Sequence, residues 1–184
     1  MKSLTVMIVP LIMLIFLFSY ASAQERQTER RDAEPYFNRG LACSKKGQYD
    51  QAISNFNKAL EINPRYAEGY LERGIAYADR GQHDQAISDF TKALEINPRY
   101  VEACTNRGIT HAKKGQYDRA FSDFNKALEI NPRYAVAYYN RGIAYYLKKE
   151  YDKSWEDVEK AQSLGCQINP KLLDELRKAS GRKD

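Results

Sequence analysis

Two histidines, three cysteines and a scatter of carboxylates are the side chains of this 184-residue chain with most to offer a reaction. A nucleophile needs a base at its side, and a metal needs three or four ligands converging on one point. The spacing supplies neither. His83 stands where the chain has Tyr49, Tyr117 and Tyr151 at the same place in a recurring pattern, and His111 stands where it has Cys43, Tyr77 and Tyr145. Both histidines therefore read as substitutions at packing positions. No carboxylate, serine or cysteine accompanies either one in a catalytic or ligating arrangement. There is no C-x-x-C pair, so zinc, redox and haem motifs are absent. Cys43 and Cys104 take places held elsewhere by tyrosine, and buried thiols two repeats apart lie beyond disulfide reach. Cys166, in an irregular stretch, is the best candidate for a reactive or intermolecular thiol. The glycines follow the period and form no phosphate-cradling loop. The expectation is a protein that is not an enzyme and holds no small-molecule cofactor.

That period is the dominant feature of the chain. The nonapeptide KALEINPRY occurs at Lys58–Tyr66, Lys92–Tyr100 and Lys126–Tyr134, each copy 34 residues after the last. Alignment on it gives four units at 33–66, 67–100, 101–134 and 135–168, and the first two agree at most positions. Self-similarity at this period marks a stacked array in which each unit buries its apolar face only against its neighbours.

Each unit reads as two helices, for example Ala67 to Arg80 and His83 to Ile96. Gly47, Gly81 and Gly115 fall between them, where a left-handed residue closes a helix. Asp50, Asp84, Asp118 and Asp152 lie near the electropositive start of the second helix. Asn-Pro at 63–64, 97–98 and 131–132 ends the second helix, and the proline is expected to open the next first helix. Gly40, Gly74, Gly108 and Gly142 sit mid-helix at a cost of about 1 kcal/mol each relative to alanine. Close approach to Ala52, Ala86, Ala120 and Ser154 on the second helix is the compensating gain. In the fourth unit Lys149 replaces the corner glycine and Val158 replaces Phe124, and four extra residues precede the next Asn-Pro, at Asn169-Pro170. Beyond it, Leu172, Leu173, Leu176 and Ala179 form an apolar face at helical spacing. Residues 169–180 are thus expected to form a capping helix, followed by a tail at 181–184.

Tyr36, Gly40, Ala52, Phe56, Ala59 and Pro64, repeated at 34-residue spacing, resemble the tetratricopeptide repeat (TPR) family. The resemblance spans residues 33–168. It implies an all-α, right-handed solenoid of four helix pairs, closed here by the C-terminal helix. One regular departure is Arg39, Arg73, Arg107 and Arg141, where the family more often has leucine; an arginine stem covers apolar surface while its head reaches water.

The resemblance also implies where a partner would lie. In the family, the first helices line a concave groove that takes protein or peptide segments. The corresponding positions are Glu34, Phe37 and Leu41 in the first unit, then Glu68, Leu71, Ile75 and Asp79 in the second. The third contributes Glu102, Thr105, Ile109 and Lys113, and the fourth Tyr139, Ile143 and Tyr146. Leu41, Ile75, Ile109 and Ile143 form an apolar row that either tightens packing between first helices or anchors a partner. Glu34, Glu68 and Glu102 form an acidic rail. The carboxylate-clamp members of the family use lysine, asparagine and arginine at such positions, so this groove is not expected to hold a terminal carboxylate.

Charge and the N-terminus bound the setting. The formal charge is +5, one less without Lys2, and the basic residues are dispersed, which argues against nucleic acid. Residues 1–23 hold Lys2, an apolar run from Leu4 to Phe18, and Ala21-Ser22-Ala23, an A-x-A pattern before Gln24. The run is short for a bilayer span. Residues 1–23 therefore read as a signal peptide that sends the protein to the periplasm or outside the cell. The alternative is an anchor retained at residues 4–20, the one route to membrane contact. Residues 24–32 read as a charged leader or a frayed extension of the first helix.

Overall fold

Apolar side chains recur every three to four residues between the Gly and Asn-Pro punctuation, and each such stretch is helical. The structure is a computed structural model that describes residues 2–182, with only some side chains described before residue 27. The described residues form nine helices and no strand: α1 (Lys2–Lys45), α2 (Tyr49–Ile62), α3 (Ala67–Asp79), α4 (His83–Ile96), α5 (Val101–Lys113), α6 (Tyr117–Ile130), α7 (Ala135–Leu147), α8 (Tyr151–Ser163) and α9 (Pro170–Ser180). Two units divide them, Met1–Tyr66 with α1 and α2, and Ala67–Asp184 with the rest.

In the first unit the C-terminal turns of α1 pair with α2. Ala33, Ala52, Phe56 and Ala59 are fully buried there, and the Phe37 ring lies 5.8 Å from Phe56 and 4.9 Å from Tyr66. The charged leader at 24–32 is helical, as part of α1. Among the described residues no helix is long and apolar enough to cross a membrane. Most side chains of the apolar run, and those of Ser22 and Ala23 in the A-x-A pattern, lie outside the described residues, as do Lys183 and Asp184 of the tail.

In the second unit three helix pairs, α3–α4, α5–α6 and α7–α8, follow one another, and α9 packs on α8. Phe90 and Phe124 are fully buried at the centre of the first two pairs, and Val158 takes their place in the third. The three-residue corners end each first helix with paired carbonyl contacts: Gly115 N–H donates to Ala112 O and Gln116 N–H to His111 O, both at 2.9 Å. Gly115 has φ 71°, and Lys149 makes the same corner with φ 64°. The missing glycine thus leaves the turn intact, at a steric cost of roughly 1–2 kcal/mol.

The Asn-Pro corners work differently from the expectation. Asn131 Oδ1 accepts the Arg133 N–H at 3.0 Å, and Asn63 and Asn97 do the same for Arg65 and Arg99. Pro64, Pro98 and Pro132 sit inside this turn, before the next helix begins, so they do not open it. Only Pro170 occupies the first turn of its helix, behind Asn169, whose side chain caps Lys171 N–H. Gly165 and Cys166 stand at the positions of Asn131 and Pro132 one period on, so the 34-residue register carries through the irregular stretch into α9. Leu176 falls one period after Gly142, is fully buried, and packs with Trp155 and Val158. The capping helix takes the place of a first helix in that register.

Candidate partner-binding face

Every first helix has one side committed by its mid-helix glycine. A Cβ on Gly74 would meet the Phe90 ring at 2.6 Å, and one on Gly108 would meet Phe124 at 2.8 Å. Those glycines therefore face the second helix. At 3.6 residues per turn, Glu68, Glu72, Ile75 and Asp79 share an arc of roughly 60° on the side of α3 turned away from α4. The same arc of α5 carries Glu102, Asn106, Ile109 and Lys113, and that of α7 carries Val136, Asn140, Ile143 and Leu147. α5 contacts both α3 and α7, so the three arcs lie side by side.

The character of this face changes from helix to helix. On α3 it holds three carboxylates, and among the described residues none of them has an ion-pair partner. Burial pushes the Glu72 carboxyl above its usual range, with no cation to offset it. On α5, Glu102 and Lys113 balance. On α7 the face is uncharged, with Val136 43% and Leu147 52% exposed. Asn106 and Asn140 donate back to Glu102 O and Val136 O of their own helices, both amides remaining at the surface.

The expected groove residues separate into three groups. Glu68, Asp79, Glu102 and Lys113 are exposed, and Ile75, Ile109, Ile143, Tyr139 and Tyr146 are half-buried. Ile75 packs against the core around Phe90, and Ile109 against Phe124, so both belong partly to the interior. Leu71 and Thr105, by contrast, are buried at 5% and 1% exposure, and the Thr105 hydroxyl donates to Val101 O. Neither offers surface to a partner. In the first unit Glu34 is exposed and Leu41 half-buried, while Phe37 packs at a tilt against Phe56 and Tyr66 of its own unit. Glu72 was absent from the expected set because only burial without a partner distinguishes it from other surface acids.

The periodic arginines depart further from expectation. Only Arg39 keeps its head in water; Arg73 is bidentate to Asp89 with both contacts at 2.7 Å, and Arg141 to Asp157 likewise. Arg107 holds Asp123 and also donates from Nη1 to Thr91 of the preceding pair at 3.0 Å. Asp123 holds the Arg107 guanidinium above its ordinary pKa, against the opposing effect of burial. These three carboxylates are buried, and one cation satisfies each. A second series joins successive pairs at the corners: Lys114 to Asp84, Lys148 to Asp118 at 3.4 Å, and Arg182 to Asp152 at 3.1 Å.

Of the histidines and cysteines, His111 and Cys104 are buried. His111 is buried, with Nδ1 2.7 Å from Gln116 Oε1 and Nε2 3.9 Å from Asp123 Oδ2. His83 is half-buried at the start of α4. Cys104 is 2% exposed, and burial pushes its thiol up, while Cys43 and Cys166 are half-buried and, like Cys104, free of disulfides. Among the described residues no group of His, Cys, Asp or Glu is placed to hold a metal.

Tetratricopeptide repeat models match residues 33–66, 67–100 and 101–134, and a second such model matches 124–156. The chain belongs to the tetratricopeptide repeat family. Among solved structures, a MamA protein superposes with a TM-score of 0.68 at 26% identity, over 81% of this chain and 82% of that one. TTC0263, a thermophilic TPR protein of Thermus thermophilus, gives 0.68 at 23%, over 80% of each chain. The first TPR of Spaghetti (RPAP3), bound to the HSP90 peptide SRMEEVD, gives 0.58 at 30%, over 62% of this chain and 90% of that one. No curated protein matches the chain.

Proposed function

We propose that this TPR protein is a non-enzymatic scaffold or assembly factor of the cell envelope. It captures a segment of a partner protein on the face of its first helices. The observation that carries this reading is the exposed aliphatic surface of α7, where Val136 and Leu147 are left uncovered by the described residues. Large aliphatic side chains left in water on a rigid helix mark a contact surface when several share one face. The TPR neighbour solved with a bound peptide supports the same reading. Export rests on residues 1–23, with their apolar run and A-x-A pattern before Gln24. Retention of residues 4–20 would make the protein a membrane-tethered subunit of an envelope complex. A regulatory subunit of an enzyme on another chain is a further alternative.

Cross-linking in intact cells followed by affinity purification tests the capture. A partner should be recovered with the native chain and lost with Leu147→Asp, while the helical circular-dichroism signal stays the same. Recovery undiminished in Val136→Asp/Leu147→Asp would overturn the reading. N-terminal sequencing of the exported protein decides its form, since a start at Gln24 excludes the anchor.

A further inference from the structure

The three arcs of the second unit are not equivalent, and their inequality specifies what fits them. The arc of α3 carries Glu68, Glu72 and Asp79 without a counter-ion among the described residues. Six aspartates of the same unit are matched, Asp89, Asp123 and Asp157 by arginines and Asp84, Asp118 and Asp152 by corner cations. On the arc of α5 the one carboxylate, Glu102, shares its face with Lys113. Carboxylates left unmatched in a protein with a formal charge of +5 concentrate negative potential on one helix. Two helices away, α7 presents Val136 and Leu147 with no charge between them.

We propose that this face receives a bipartite protein segment, with lysine or arginine side chains over α3 and an aliphatic or aromatic anchor over α7. The proposal rests on the reading that this face is the partner site, and it names the chemistry of the partner. Charge complementarity fixes the basic end, because lysine and arginine side chains there can each meet a carboxylate of α3, whereas an acidic or neutral segment leaves them unpaired. The apolar end removes Leu147 from water; Val136 stands about 16 Å away at the other end of α7. Distance fixes the spacing. Adjacent packed helices are roughly 8–10 Å apart, so α3 and α7 are separated by roughly 16–20 Å. An extended chain rising about 3.3 Å per residue covers that in about five or six residues. A helical segment would need more than about ten at 1.5 Å each. Taken as an extended segment, the occupant carries its basic and apolar groups about five or six residues apart and crosses α5 on the way. The same geometry orients it, since reversal places the anchor over carboxylates and the cations over aliphatic surface.

Four fluorescein-labelled peptides titrated into the native chain test this by anisotropy. The first carries Lys-Arg and Leu-Phe separated by five serine or glycine residues. The second replaces Lys-Arg by Glu-Glu, the third replaces Leu-Phe by Ser-Ser, and the fourth brings Lys-Arg next to Leu-Phe. The first should bind at least about tenfold more tightly than each of the others. Its advantage over the Glu-Glu peptide should shrink with added salt and in Glu72→Gln and Asp79→Asn, which keep the side-chain shape. Leu147→Asp should remove binding of all four. Equal binding of the first two peptides, still lost in Leu147→Asp, would overturn the bipartite chemistry and leave the partner site standing. Absence of binding by all four peptides, in a chain that still captures its partner through Leu147, would overturn it as well. Binding indifferent to Leu147→Asp would overturn both. A dimer in sedimentation equilibrium that dissociates in Leu147→Asp would assign the face to a second copy and overturn the proposal.

Discussion

Arg107 and Asp123, sixteen residues apart on paired helices, form a two-pronged ion pair, with Nη2 2.7 Å from Oδ1 and Nε 3.0 Å from Oδ2. The same pair recurs as Arg73–Asp89 and Arg141–Asp157. In the first unit Asn55 takes the aspartate's place, and Arg39 is exposed and lies 4.6 Å over the Tyr36 ring. The pairing thus follows the aspartate and not the arginine alone. The Asp123 side chain is 9% exposed and Arg107 25%, so each charge depends on the other for what water no longer supplies.

Removing one member should therefore cost more than removing both. Asp123→Ala strands a largely buried cation and should lower stability by about 3 kcal/mol, the lower end of what breaking a buried pair costs. Arg107→Leu/Asp123→Leu replaces the pair with apolar packing and should lose less than Asp123→Ala. Arg39→Leu should stay within about 0.5 kcal/mol, as expected of an exposed position. Urea denaturation of the four chains checks the order.

The mid-helix glycines should differ among themselves. Gly108 faces the buried Phe124 ring at 2.8 Å and Ala120 O at 3.2 Å from a Cβ position, so alanine there displaces a ring that has no room to move. Gly142 faces the smaller Val158, at 3.0 Å. The helix-propensity gain of about 1 kcal/mol is the same at both sites. Gly142→Ala should come out near neutral, and Gly108→Ala should destabilise. Gly108→Leu should add an overpacking cost of about 1–3 kcal/mol. Thermal melts of the three variants rank them, and a stabilised Gly108→Leu would refute the close-approach account.

α9 should be necessary to the fourth pair. Leu176 is fully buried, the Trp155 indole N–H donates to Ser180 Oγ at 3.0 Å, and Arg182 reaches Asp152. Leu176→Ala should cost about 2–5 kcal/mol through the cavity it leaves. Truncation after Pro170 should lower the melting temperature further and shift the emission of Trp155 to the red. As the chain has one tryptophan, the fluorescence reports this end alone.

The helix pairs and their corners were legible in the sequence because each depends on local chemistry: apolar spacing, glycine at the turn, asparagine before proline. What escaped was what only tertiary contact creates. Arg73, Arg107 and Arg141 read as leucine substitutes, since nothing within a helix shows that Asp89, Asp123 and Asp157 lie opposite. The signal was present all the same, in arginine and aspartate recurring sixteen residues apart with Asn55 as the exception. Lys149 departs from the corner glycine, yet the paired carbonyl contacts hold it left-handed. On the candidate face, family position alone could not separate buried Leu71 and Thr105 from exposed Glu68 and Glu102. Burial there depends on how closely neighbouring first helices approach, which no single repeat encodes.

The aliphatic row at Ile75, Ile109 and Ile143 admits two roles from sequence, and the structure divides them between residues. Ile75 and Ile109 pack into the clusters around Phe90 and Phe124, so an aspartate at either site is drawn into partly buried apolar surroundings. Ile75→Asp should therefore lose about 1.5–3 kcal/mol of apolar burial, with a further penalty for the desolvated carboxylate. Val136 and Leu147 are 43% and 52% exposed, and an aspartate at either remains solvated. Leu147→Asp should change stability by no more than about 0.5 kcal/mol. Any loss of partner capture in Leu147→Asp is then a loss of contact, whereas the same loss in Ile75→Asp confounds contact with unfolding. Chemical denaturation run beside capture on both variants separates the cases. If Ile75→Asp proves as stable as the native chain, the row is free surface, and Ile75 joins α7 as part of the binding face.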